Sequence, residues 1–151
     1  MSQKLPPARV AAWRGLLTTH AKVVSRIEQR LAEAKLPPLA WYDVLFALYE
    51  APEKRLRMAE LADQVLLSRS GLTRLVDRLE AAKCLKREDC PTDKRGYFVH
   101  LSTTGIDTLR KMWPVYRDGI SRWFSAPLSE KDIDSLSKAF GKIGEGMVVG
   151  E

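Results

Sequence analysis

The chain has little with which to run covalent or metal chemistry. Its 151 residues include two cysteines, Cys84 and Cys90, and two histidines, His20 and His100, placed in different predicted elements. Two cysteines and two distant histidines do not make a zinc site. There is no Gly-rich phosphate loop, no His-Glu-x-x-His helix and no nucleophile turn, and the acids read as ordinary helix acids. Neither an enzyme nor a metal or cofactor is expected. No apolar run approaches the roughly 18 residues of a membrane span, and the N-terminus lacks a continuous apolar signal stretch. The expectation is a cytoplasmic protein without a membrane partner, its thiols reduced.

Positive charge is what the chain has in excess. Twenty-five Lys and Arg face nineteen acids, a net of +6, and a basic balance favours a polyanionic partner where a surface can meet one. The excess is unevenly placed. Residues 69–96 carry eight cations against five acids, residues 1–35 seven against two, and residues 125–151 three against five. A scattered surplus would be no more than a solvated surface. Here it coincides with two tips of one module.

Residues 68–101 hold that module. Leu72, Leu75, Val76 and Leu79 recur at i, i+3, i+4 and i+7, the apolar stripe of a helix. Ser68 precedes them as a candidate N-cap. Arg69, Ser70, Thr73 and Arg74 share the opposite face near the helix start, with Asp77 and Arg78 one turn on. Guanidinium forks and small hydroxyls read base edges and phosphates when a helix N-terminus enters a major groove. Gly71 costs about 1 kcal/mol against Ala in a helix, which points to close approach, either of DNA or of the preceding helix. Lys86–Cys90 and Tyr97–Leu101 read as short strands, joined by a doubly basic turn, Pro91 to Gly96. Met58–Val65 is predicted as a short amphipathic helix with Leu61, Ala62 and Val65 inward, and Leu56 as a small third strand. Together they make a winged helix-turn-helix.

The runs GLTRLVDRLE at 71–80, PTDKRG at 91–96 and LSTTG at 101–105 resemble the MarR (multiple antibiotic resistance regulator) family of transcription factors. The match is close over the recognition helix and wing and architectural elsewhere. It implies a homodimeric regulator of transcription, a repressor released by a small aromatic or phenolic ligand. Double-stranded DNA would be met by Ser68, Arg69, Ser70, Thr73, Arg74 and Arg78 on the helix and by Asp93, Lys94 and Arg95 on the wing. In the family the basic wing residue enters the minor groove, a role carried here to Lys94 and Arg95 jointly. Asp77 and Asp93 repel phosphate; one of them is expected to pair with Arg95 or a helix arginine and fix the wing's angle. Family members that sense peroxides use a cysteine in the N-terminal helices, where this chain has none.

The two ends of the chain share a different pattern. Val10, Trp13, Leu17, His20, Val24, Ile27, Leu31 and Ala34 step 3 and 4 apart along a helix at 8–34, stopped by Leu36-Pro37-Pro38. Such a helix would be about 40 Å long and needs a partner for its seam, most simply a second copy of the chain. Residues 40–50 form a second helix, apolar nearly all round and therefore expected to be central and buried. After the wing, Ser102 or Thr103 caps a helix with Ile106, Leu109, Trp113, Tyr116, Ile120 and Trp123 in step, with a kink or break expected at Pro114. Ser129, with Asp132 three residues on, starts a last helix carrying Ile133, Leu136, Phe140, Ile143 and Met147, its end weakened by Gly141, Gly144 and Gly146.

The expected fold is mainly α with a small β wing: one domain over 1–151, with the winged helix-turn-helix at 40–101 and dimerisation helices at 8–36 and 102–149. The dimer interface is placed on Val10, Leu17, Val24, Ile120, Trp123, Ile133, Leu136, Phe140 and Ile143. A two-fold dimer requires a pseudo-palindromic operator with half-sites about 10 bp apart. Trp13, Arg14, His20, Trp41, Tyr42 and Trp113 are candidates for a ligand site, since aromatic walls and a cation suit an aromatic anion. Aromatics at helical spacing are more often core, and His20 on a seam more often an interface histidine. Cys84 reads as a buried small hydrophobe and Cys90 as an incidental surface thiol. Two alternatives stay open: a redox-responsive regulator acting through Cys84 and Cys90, and a winged helix used only for protein contacts.

Overall fold

The computed structural model describes residues 4–65, 69–92 and 96–148. Among these, six α-helices run in the order α1 (Pro7–Glu33), α2 (Leu39–Glu50), α3 (Met58–Gln64), α4 (Arg69–Ala81), α5 (Thr103–Ile120) and α6 (Glu130–Val148). Three strands, β1 (Arg55–Arg57), β2 (Leu85–Asp89) and β3 (Tyr97–Leu101), complete a mostly helical fold with a small wing. The chain divides into two compact units: Glu28–Tyr116, and Met1–Ile27 with Arg117–Glu151.

The middle unit is built around a closed apolar core. Its sheet has the order β1-β3-β2, antiparallel throughout. Leu56 stands opposite Val99, and Arg87 opposite Val99 from the other side. Leu56 thus belongs to a real third strand. Val44, Leu45 and Leu48 of α2, Leu61 of α3, Leu72, Val76 and Leu79 of α4, Val99 of β3 and Met112 of α5 are all fully buried. Each such side chain contributes about 1.5–3 kcal/mol relative to exposure.

Local hydrogen bonds fix how the helices enter and leave this core. Lys35 takes the left-handed conformation (φ 57°), and the Leu36 N–H closes on the Leu31 carbonyl at 2.9 Å to end α1. Pro38 cannot cap α2, so Glu28 does: its carboxylate accepts the Leu39 N–H at 2.9 Å. Glu60 reaches back to the Arg57 N–H at 2.9 Å and steadies the start of α3. The expectation that α2 is buried all round is corrected. Phe46 and Tyr49 remain 43% and 41% exposed, because the chain's own elements cover one flank of this helix and not the other.

The other unit is assembled from the start of α1, the end of α5, a π-helical turn at Ser121–Ser125, and α6. Pro114 is solvent-exposed and does not break α5, which continues to Ile120. The irregularity comes later, at the π turn, where the Ala126 N–H reaches the Ser121 carbonyl at 2.8 Å. Ser129 and Asp132 form the expected reciprocal cap. The Ser129 N–H donates to the Asp132 carboxylate at 2.9 Å, and the Ser129 hydroxyl accepts the Asp132 N–H at 3.2 Å. Despite its three glycines, α6 runs on to Val148. Among the described residues no helix is long and apolar enough to cross a membrane.

Candidate nucleic-acid interface

The helix α4 has two unlike sides. Leu72, Leu75, Val76 and Leu79 anchor the inner one. Ser70, Thr73, Arg74, Asp77 and Arg78 are exposed on the outer one, as the periodicity requires. Arg69 opens the helix. Ser68, expected as its cap, and Asp93, Lys94 and Arg95 of the wing tip lie outside the described residues.

The far end of α4 is seated firmly. Lys83 adopts φ 61°, which lets the Cys84 N–H close on the Leu79 carbonyl at 2.9 Å. Ser102 then joins this turn to α5. Its hydroxyl donates to the Lys83 carbonyl at 2.6 Å and accepts the Gly105 N–H at 3.1 Å. Gly105 is needed here for space: a methyl in place of its hydrogen would run into the Cys84 carbonyl oxygen. The LSTTG run is therefore the seat on which α5 meets the end of α4.

Sequence reasoning missed Arg87, on β2. Its guanidinium pairs with Asp77 of α4 and lies 3.7 Å from the Glu80 carboxylate. Its backbone N–H donates to Glu80 at 2.9 Å, and the Tyr97 ring of β3 lies 5.4 Å from it. The hydrogen bond to Asp77 raises the Arg87 pKa above its ordinary value, against a smaller opposing effect of burial. Asp77 or Asp93 was expected to pair with Arg95 or with a helix arginine; the partner of Asp77 among the described residues is this strand arginine. No spacing rule connects a helix acid to a strand cation ten residues away. The clue available in sequence was an excess of acids (Asp77, Glu80) on the flank of an otherwise basic helix.

On the opposite face of the sheet, Arg55 and Arg57 stand 4.5 Å and 5.6 Å from the Phe98 ring. His100 lies 2.6 Å from Glu88 across the same face.

One of the two thiols is less accessible than expected. Cys84 is 3% exposed and Cys90 6%, so Cys90 is a buried residue and not a surface one. Their sulfurs contact Thr108 and Thr92 hydroxyls at 3.6 Å and 3.4 Å. Sensor thiols need an accessible thiolate, which weighs against a redox role.

The six candidate ligand residues fall in different units. In the middle unit, Tyr42 stacks on Trp113 and Phe46 with centroids 6.1 Å and 5.6 Å apart, and meets Tyr116 edge-on at 5.0 Å. Burial raises the pKa of both Tyr42 and Tyr116. Trp41 is half-buried on the same helix. In the other unit, Trp13 and His20 line a groove of about 850 Å³ with Leu16, Val24, Trp123, Phe124, Leu136, Phe140 and Ile143. Arg14 is exposed on α1 and does not line it. Of the residues expected at a dimer interface, Val10, Leu17, Phe140 and Ile143 are 38–55% exposed. Val24, Ile120, Trp123, Ile133 and Leu136 are partly exposed.

Known proteins share this arrangement. The model of the MarR family matches residues 34–96, the span from the end of α1 to the wing. The regulator MhqR of Bacillus subtilis is 29% identical over 103 residues, covering 68% of this chain and 69% of that protein. The crystal structure of AbsC, a MarR family transcriptional regulator from Streptomyces coelicolor, is 31% identical and superposes with a TM-score of 0.85 over 97% of this chain and 98% of its own. That of Sco3205, a MarR family regulator from the same organism solved in complex with DNA, is 31% identical with a TM-score of 0.87, over 97% and 91%. The two-sided α4, the wing behind it and these full-length likenesses agree: the chain belongs to the MarR family of transcriptional regulators.

Proposed function

We propose that this protein is a sequence-specific, double-stranded-DNA-binding regulator that works as a homodimer. The observation that carries the reading is the outer face of α4. Ser70, Thr73, Arg74 and Arg78 are exposed there on a helix whose other side is sealed into a core. Arg pairs bidentately with guanine, Ser and Thr bond either base edges or phosphates, and a rigid helix presents both to a major groove. Lys94 and Arg95 are assigned to the adjacent minor groove.

The dimer is supported by the exposed apolar residues of α1 and α6. Trp13 and Leu17 on α1 and Phe140 and Ile143 on α6 are large apolar side chains left 46–59% exposed, the kind of surface a partner covers. A second copy supplies the same helices in return, as a two-fold interface demands. The reading extends to repression relieved by a small aromatic anion. Of the residues expected at such a ligand, Trp13 and His20 line the groove of their own unit and are the ones assigned to it. Such a ligand acts by preferring one spacing of the two recognition helices over another.

Selection from a pool of randomised DNA duplexes tests this at about 150 mM salt, where non-specific affinity alone is only micromolar or weaker. The expected result is an enriched palindrome with half-sites about 10 bp apart, bound on the order of nanomolar. Its affinity should fall steeply with added salt. Failure of any sequence to enrich would overturn the reading and leave a winged helix that serves protein contacts.

A further inference from the structure

We infer that Arg87 is a positioning residue that locks the wing to the recognition helix and thereby sets how sharply this protein discriminates its operator from other DNA. The inference rests on the DNA-binding reading above and adds to it the group that makes two separate contacts act as one.

Arg87 gathers three elements. It sits on β2 opposite Val99 and reaches α4 through Asp77 and Glu80. The Tyr97 ring of β3 lies beside its guanidinium. Its main chain is tied to the same helix by the 2.9 Å bond to Glu80. Asp77 and Glu80 are three apart on α4 and so form one acidic step along its flank. A planar guanidinium with donors in a fixed fork constrains direction as well as distance, which an ammonium group does not.

The orientation of the fork argues against a phosphate contact. The Arg87 side chain is only 30% exposed. Its Nε is buried with no hydrogen-bond partner among the described residues, while the two terminal nitrogens reach the acids. An arginine serving phosphate would hold its fork in solvent, as Arg74 and Arg78 are placed to do. Asp77 gains from the pairing too. It is 56% exposed, one turn beyond Arg74, and its bare charge would repel a phosphate backbone.

Recognition by α4 in the major groove and by the wing in the minor groove is simultaneous only if the angle between them is already set. A preset angle makes the second contact intramolecular and removes an ordering cost. Releasing the clamp should cost affinity only where both contacts read sequence.

The test uses full-length protein, the duplex enriched by selection and a shuffled duplex of equal length. Asp77→Asn, Arg87→Ala, Arg87→Lys and the exchanged pair Asp77→Arg with Arg87→Asp are compared over a range of salt, with circular dichroism confirming folding. Asp77→Asn is near-isosteric at an exposed position and secures a folded variant. Asp77→Asn and Arg87→Ala should each weaken binding to the selected duplex tenfold or more. Binding to the shuffled duplex should be unchanged or slightly tighter, with the salt slope unaltered. Arg87→Lys should fall between, and the exchanged pair should recover most of the loss. The inference is overturned if Asp77→Asn tightens both duplexes equally, which would make Asp77 only a repulsive charge. It is equally overturned if Arg87→Ala weakens both and lowers the salt slope by about one, the signature of a lost phosphate contact. A wild-type protein that does not distinguish the two duplexes would instead sink the DNA-binding reading itself.

Discussion

The two units spend their apolar residues differently. In Glu28–Tyr116 the large side chains of α2, α3, α4 and β3 close on one another, and Leu45, Leu48, Leu61, Leu72 and Leu79 have no exposed surface. In Met1–Ile27 with Arg117–Glu151 the pattern is as regular and the outcome opposite: Trp13 is 59% exposed, Leu17 49%, Ile143 55% and Met147 67%. Ile27, at the edge of that unit, is the large side chain it fully buries among the described residues. A stripe of hydrophobic residues thus says that a face will be covered, not by what. Covering it within one chain makes a core; leaving it to a second chain makes an interface.

Truncating each kind of residue should separate the two uses. Leu79→Ala opens a cavity in the closed unit and should cost about 2–5 kcal/mol, read as a fall in the urea midpoint. Phe140→Glu should leave that midpoint nearly unmoved at low protein concentration. It should weaken self-association by about 3 kcal/mol, near a hundredfold, because a charge replaces an apolar contact that each subunit makes. Sedimentation equilibrium would show a shift from twice the 17.1 kDa chain mass toward the monomer. Loss of folding by Phe140→Glu without loss of association would reverse the assignment of the two units.

A smaller effect tests the surface that the closed unit carries. Arg74→Ala removes an exposed fork from the outer face of α4. Affinity for the selected duplex should drop by about 1–3 kcal/mol, while stability stays within about 0.5 kcal/mol. Titration of labelled duplex and a parallel urea melt give both numbers on one preparation. Equal losses in the two would place Arg74 in the scaffold and not at the DNA.

What could be read from the sequence was what depends on neighbours along the chain. The stripe of α4 and the caps at Ser102 and Ser129 arise within a few residues, where periodicity and capping chemistry operate. What could not be read depends on pieces far apart in sequence. Arg87 looks like any strand cation until α4 brings Asp77 and Glu80 to it. Phe46 and Tyr49 look like core until the packing of α2 leaves their flank uncovered. Cys90 is buried, and nothing in its immediate neighbours along the chain says so. Pro114 lies on the solvent side of α5, where water can meet the carbonyl that its missing N–H leaves unpaired, and the helix continues past it. The π turn at Ser121–Ser125 had no signal in the sequence at all.

The smallest expected effect lies where the exposed unit starts its last helix. Asp132 accepts hydrogen bonds from both the N–H and the hydroxyl of Ser129, at 2.9 Å and 2.7 Å. Those bonds hold its pKa below the ordinary aspartate value, the hydroxyl first and the backbone second. A carboxylate whose folded pKa is lowered contributes stability that is present above the unfolded value of 3.8 and is lost as pH falls through the folded one. The start of α6 should therefore hold at neutral pH and loosen only in acid, below the range where free aspartates protonate. The Ser129 amide signal in an NMR titration reads this directly. Its midpoint should fall below the usual aspartate range, and Asp132→Asn should abolish the step while leaving the Leu39 amide, capped by Glu28 in the closed unit, unchanged. A Ser129 midpoint at or above the ordinary value would mean that the cap is not formed in solution, and that α6 begins later than Glu130.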